Sequence, residues 1–313
     1  MGYWWRRPAC PLRELRRIAM MGRYGARLAS WRAQSERRGW QGGVVTQVEM
    51  LITVKTYPVL TGHGEAACIA GLQRRTDGSL GWARLFPVPF RELEDRAKFR
   101  MWQWVTVQAH RTTKDHRPET WVPDADTIMP GREIDTDRGT WRRRMDVLRP
   151  LLLESMCDVQ ERQAADGTSL GAFPLDPAKV LDVYAEPNDE WSPKTKARSQ
   201  QTSLFHPDLP PLEWVPWRFK IRYRCRPACS GHNQGAYDWG LMELYRKQRH
   251  KKGDVGARDD AVEKLRTIIS EANEPVLFVG NQHRWIDRFL VIGWAHPRRR
   301  SQGDGDQLRL EVL

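Results

Sequence analysis

Several things are missing from this sequence. No run approaches the ~18 uninterrupted apolar residues a helix needs to cross a bilayer, so no membrane span is expected. Cysteine is scarce: Cys10, Cys68, Cys157, Cys225 and Cys229 are odd in number and scattered, which argues against a disulfide framework. The N-terminus is arginine-rich but has no continuous apolar core followed by a small-residue cleavage site, so it does not read as a secretory signal. A soluble protein of the reducing cytoplasm is the resulting expectation. There is no Walker loop, no Gly-x-Gly-x-x-Gly after a strand, no Gly-x-Ser-x-Gly and no His-Glu-x-x-His. These absences remove the common nucleotide-triphosphate, dinucleotide, serine-hydrolase and zinc-protease signatures.

What is present is a globular composition, with 40% apolar and 10% aromatic residues in 313, enough for one large domain or two ordinary ones. The net charge of +12 suggests a polyanion partner, but its location matters more. Residues 1–47 hold ten arginines against Glu14 and Glu36, a surplus of 8 that leaves only +4 for the remainder. Two readings stay open for this stretch: a disordered basic arm, or an extension upstream of a true start at Met50.

From Met50 to about His110 four segments have strand length and composition: Leu51–Pro58, Glu65–Leu72, Trp82–Val88 and Trp102–Ala109. Thr76–Ser79 supplies turn residues between the second and third. Residues 110–140 are polar and proline-rich and read as a surface excursion. A helical period then runs through Trp141, Met145, Leu148, Leu152, Met156 and Val159, interrupted by Pro150, with Arg142–Arg144 on a solvated face. Arg84 and Arg91 are expected to pair with Glu92, Glu94 or Glu119. The expected fold is α+β: a small β-rich sheet or barrel over 48–140, a helical connector over 141–186, a linker over 187–212, a mixed α/β module over 213–297 and a loose tail over 298–313. Within the linker, Leu204-Phe205-His206 is an apolar island expected to dock.

Chemistry concentrates in Trp217–Lys252. Trp217, Phe219, Ile221 and Tyr223 alternate with Arg218, Lys220, Arg222 and Arg224, so one face belongs to a core and the other carries four cations over about 20 Å. That row suits successive phosphates of DNA or RNA and equally suits an edge strand protected by charge. Cys225, Cys229 and His232 follow, two thiolates and an imidazole within eight residues, a ligand set zinc favours. A fourth ligand is missing locally; Cys68, His206, His283, Asp238 or a water are the candidates. An unmetallated turn and a Cys225–Cys229 redox pair are the alternatives. Asp238 reads as the N-cap of a helix starting at Trp239 and stopping near Gly253, ahead of a second helix over Asp260–Ala272. Asp238 and Glu243 are the acids near His232 that could act in metal-assisted hydrolysis.

The ordered set Val54–Pro58, Glu65-x-x-Cys68-x-Ala70-Gly71, Trp82-x-Arg84–Arg91, Lys98-Phe99, Arg117–Glu119, Phe219–Tyr223, Cys229-x-Gly231-His232, Asp238-Trp239 and Val279-Gly280 resembles a family of uncharacterised bacterial proteins across about residues 50–297. The resemblance implies one co-inherited architecture and a start near Met50, and it carries over no catalytic residue. Gly240 stands where the family pattern has an acid, which weakens any catalytic use of that position. The leading expectation is a nucleic-acid-binding protein with a structural zinc. A metal-dependent hydrolase or nuclease using the same cluster and a metal-free interaction scaffold are the alternatives.

Overall fold

Closure of a small barrel organises the N-terminal half. In the computed structural model, which describes residues 44–61, 64–205 and 209–299, strands β1 (Thr46–Lys55), β3 (Gly64–Arg74), β4 (Leu80–Val88), β6 (Thr120–Pro123) and β5 (Gln103–His110) pair in that order. β5 pairs back onto β1, completing a five-stranded ring. β2 (Val59–Thr61) adds to β3, and β7 (Met129–Glu133) adds to β5. β1 is buried on both faces from Met50 to Val54. One face fills the barrel and the other packs on the second sheet, which is why its text is apolar throughout rather than alternating. The strand starts at Thr46, so residues upstream of Met50 already pair with β5.

Two readings of this half need correction. Residues 110–140 are not only a surface excursion, because they carry β6, which closes the barrel by pairing parallel to β4 and antiparallel to β5. Four residues bounded by prolines are too short to show a period. Arg84 and Arg91 take other direct partners than the acids expected for them, although the Glu119 charge still favours the ionised form of Arg84. Arg91 pairs with Glu65 at 2.8 Å. Arg84, 1% exposed, donates to Thr120 Oγ1, Ser169 Oγ and the Ser169 carbonyl. Glu119 in turn accepts from the Ser169 N–H and hydroxyl. A guanidinium from the barrel and a carboxylate thus meet through the serine that leads into the second sheet.

That sheet has the order β8 (Leu170–Pro174), β12 (Val276–Gln282), β13 (Trp285–Ala295), β11 (His232–Ala236), β10 (Trp217–Tyr223), β9 (Val180–Pro187). Helices α1 (Arg142–Leu148) and α2 (Met156–Asp166) are the two abutting helices that Pro150 separates. Arg144 is buried rather than solvated, its guanidinium lying over the Trp102 and Trp141 rings and donating to the Ile134 carbonyl. Residues 141–186 also contain β8 and β9, and residues 187–212 contain helix α3 (Pro193–Phe205), where the sequence pattern suggested a helical connector and a linker. Helix α4 (Trp239–Ile268) consists of two helical segments that meet at Gly253, whose φ of 73° breaks the helical geometry where a stop was expected. Leu241, Met242 and Tyr245 before the kink and Ala261, Val262 and Leu265 after it enter one core with Phe219, Ile221 and Tyr223. Residues 1–43, the side chains around Leu204–His206 and residues 300–313 lie outside the described set, with the basic arm, the docking island and most of the tail.

α4 starts as its sequence requires. Asp238 accepts from the Leu241 N–H at 2.9 Å, and Thr56 of the segment following β1 bridges to it. Next to Thr56, Lys55 places its ammonium 4.0 Å from the Phe90 ring centroid. Burial pushes the Asp238 carboxyl up to about 6, against the pull of its backbone donors and Lys55. Burial also brings Lys55 down to about 8, against the pull of Asp238.

Two outcomes follow. A Cβ at Gly71 would stand 1.9 Å from the Leu51 carbonyl oxygen, so Gly71→Ala should cost about 1–3 kcal/mol or more in denaturant unfolding. For Asp238 the native state keeps a proton that the unfolded chain loses first. Its contribution should therefore fall as pH rises from about 4 to about 6, by up to about 3 kcal/mol. Urea titrations across that window should show the fall, and Asp238→Asn, which keeps a capping oxygen, should lack it.

Candidate metal centre

The β10–β11 hairpin presents its connection, residues 224–231, at one end of the sheet. Tyr223 and His232 are the last paired residues. Gly231, at φ 107°, lets the chain re-enter β11 immediately after the loop. The Cys229 N–H closes a turn onto the Arg226 carbonyl, and the Gly231 N–H donates to Cys229 Sγ at 3.3 Å. Beneath the hairpin Tyr223 donates to Gln234, which donates in turn to the Phe289 carbonyl. The floor of the loop is therefore a satisfied polar network inside the core.

Cys225, Cys229 and His232 converge as their spacing predicts, and Cys157 joins them. Cys157 stands on the first turn of α2, two residues after the N-cap Ser155. All four ligand atoms lie within 4.8 Å of one another. His232 Nε2 is 3.2 Å from Cys229 Sγ, 3.3 Å from Cys225 Sγ and 3.6 Å from Cys157 Sγ, and the Cys157 and Cys225 sulfurs are 3.4 Å apart. A tetrahedral ion with metal–sulfur bonds near 2.3 Å and metal–nitrogen bonds near 2.0–2.1 Å requires edges of about 3.5–3.8 Å, and the cluster is close to that size. Cys229 is buried and the other three are half-buried. The described cysteines are free thiols.

Their electrostatics show how crowded the cluster is. Burial, and then the adjacent Cys225 and Cys229 thiols, push Cys157 up to about 12. Burial opposes ionisation of Cys229, yet backbone and thiol hydrogen bonds outweigh it and hold Cys229 down to about 7. Burial, with a smaller push from Arg226, lowers His232 and so favours the neutral imidazole, the form that binds metals. Arg226 forms ion pairs with Asp158 and Glu161 of α2, clamping the loop to the helix that brings Cys157.

The proposed fourth ligands go elsewhere. Cys68 lies on β3, its N–H bonded to Thr56. His283 bonds to the Lys114 carbonyl and stacks on His116. Asp238 caps α4, and His206 is outside the described residues. Glu243 pairs with Arg246. Nothing local marks Cys157 as a ligand, because it sits 68 residues before Cys225 in a stretch whose apolar period signals only a helix.

Of the four cations, Arg218, Lys220 and Arg222 lie on β10 and have company, while Arg224 opens the connection after it. β9 pairs antiparallel with β10, setting Glu186 opposite Arg218 and Asp182 opposite Arg222. Arg218 contacts Glu186 and Asp189, Lys220 contacts Glu186, and Arg222 contacts Asp182, all within 3.5 Å. Only Arg224 of the four has no ion pair among the described residues. β9 was hidden because its residues fell in what read as a helical connector, so the acids opposite the cations were not paired with them.

Two family models match the chain, each described as a domain of unknown function: DUF8758 over residues 46–150 and DUF8757 over residues 153–312. All four cluster residues fall within the second. A search of curated proteins found no match. Among the described residues no helix is long and apolar enough to cross a membrane.

Cys157 can be separated from Cys68 by substitution. Cys157→Ser should lower metal affinity by at least an order of magnitude, whereas Cys68→Ser should leave it unchanged, as read by competition with a chromophoric chelator.

Proposed function

Because the chain belongs to the domain family of unknown function DUF8757, its role is argued from its own site, and we propose a nucleic-acid-binding protein stapled by a structural zinc ion. The observation that carries the zinc is Cys157. With it the protein supplies three sulfurs and one nitrogen at tetrahedral spacing, a closed donor set of the structural kind. Catalytic zinc sites keep one position for water. Soft thiolates with an imidazole favour zinc over the hard, oxygen-seeking cations. Asp238 and Glu243, the acids a hydrolase would need, are engaged at the α4 N-terminus and with Arg246. These points favour a staple joining α2 to the hairpin over a hydrolytic centre.

The nucleic-acid reading rests on a smaller basis than the row of four cations. Arg218, Lys220 and Arg222 belong to a charge-paired ladder with β9, so they contribute little long-range field and can act on an anion only at direct contact. Arg224, Lys247 and Lys251 are exposed cations without an ion pair among the described residues. Together with the surplus of +4 that residues 48–313 carry they support a polyanion partner.

Elemental analysis should find about one zinc per chain, and removing it with a chelator should lower the melting temperature and loosen the hairpin. A folded, metal-free protein would reject the staple. Duplex and single-stranded DNA and RNA should bind with a salt-dependent affinity. Arg224→Gln should reduce the slope of log K against log salt by about 0.7–0.9, while Arg222→Gln leaves it nearly unchanged. Flat, negligible binding at low salt would reject the partner.

A further inference from the structure

A cavity of about 430 Å³ lies between the chain leaving β1, the β10–β11 hairpin and the segment entering α3. Its size is that of a small-ligand site. Trp191, Trp214 and Trp217 line it, together with Tyr57 and Tyr237. Several of these rings are fixed in place. Tyr57 donates to the Glu213 carbonyl at 2.8 Å and meets Tyr237 edge to face, and the Trp214 indole donates to the Asp189 carbonyl at 3.1 Å.

Among the described residues the charged lining is Arg218 and Lys220, with no carboxylate beside them. Glu186 pairs with both cations. Asp189, the second partner of Arg218, has a side chain 93% exposed, so its hold is weak and open to competition by another anion. The amides of Asn188 and Gln282 complete the polar rim. Flat π-surfaces suit a planar ring, adjacent cations suit an anionic group on it, and amides suit the hydrogen-bonding edge of a heterocycle.

We infer that this cavity binds a nucleotide unit, its base against the tryptophans and its phosphate toward Arg218 and Lys220. The ring contacts are independent of the metal centre, which lies on the connection at the far end of β10. For the case in which the unit belongs to a single strand, the inference rests on the nucleic-acid reading above. For a free nucleotide it does not.

Isothermal titration of the full chain, with its zinc content measured on the same sample, tests this with AMP, CMP and a decathymidylate single strand. Saturable binding of at least one probe is expected. Trp191→Ala should weaken it about 5-fold or more, and Trp191→Phe should restore part of the loss. Lys220→Gln should weaken it and flatten its salt dependence, with circular dichroism confirming that each variant is folded. Binding of the mononucleotides assigns a free ligand; binding of the strand alone, weakened by the same variants, assigns a strand. Strand binding that ignores Trp191→Ala and Lys220→Gln but falls with Arg224→Gln would overturn the cavity and leave the partner reading standing. No binding of any of these probes would overturn the cavity, whereas the partner reading falls only if duplex DNA and RNA also fail to bind at low salt.

Discussion

Three sulfurs and one imidazole nitrogen share a space of 4.8 Å, and the C-terminal half is arranged to hold them there. Thiolates at that separation repel strongly and need a cation among them, or else they must stay protonated. The surrounding chain absorbs the geometric cost in several ways. Gly231 adopts a conformation few side chains permit, Arg226 reaches across to α2, and a buried tyrosine–glutamine pair supports the loop. α2 packs Met156 and Val159 into the same core as Phe219, Ile221 and Tyr223 of the hairpin. The hydrophobic contact that brings the helix to the sheet is thus the same one that delivers Cys157.

The two halves are joined with comparable economy. A barrel strand and a sheet share an apolar interface through Leu51, Val54, Phe278 and Ile292, and Arg84 crosses it as a buried charge neutralised through Ser169 and Glu119. Buried ions of this kind are costly unless every donor finds an acceptor. Arg84 Nε nevertheless has no partner, so the junction owes its specificity more to geometry than to net electrostatic gain. Lys55 and Asp238 form a second junction, with an ammonium on aromatic faces beside a helix cap.

Local chemistry made much of this architecture readable. Strict alternation marked β10, the turn residues Thr76–Ser79 marked the β3–β4 hairpin, and Asp238 marked the start of α4. Cys225, Cys229 and His232 were legible because a hairpin loop keeps close ligands close in space. The short strand β6, the strand β9 and the helix α3 were not, since four residues between prolines, a half-exposed edge strand and a polar helix carry little period. The β10 cations illustrate the cost of that gap: their meaning depended on Asp182 and Glu186, and those acids could be placed only once β9 was known to lie alongside.

The sequence by itself determined the α+β character, the cap of the long helix and its break at Gly253, and three of the four ligands, because each depends on residues within a few positions of one another. Tertiary structure alone decided that the N-terminal strands close into a ring, that Cys157 completes the cluster, and that most of the β10 cations are matched by acids. Those outcomes depend on which distant segments pack together, and apolar burial, which drives that packing, is non-directional and leaves no mark of its partner in the local sequence.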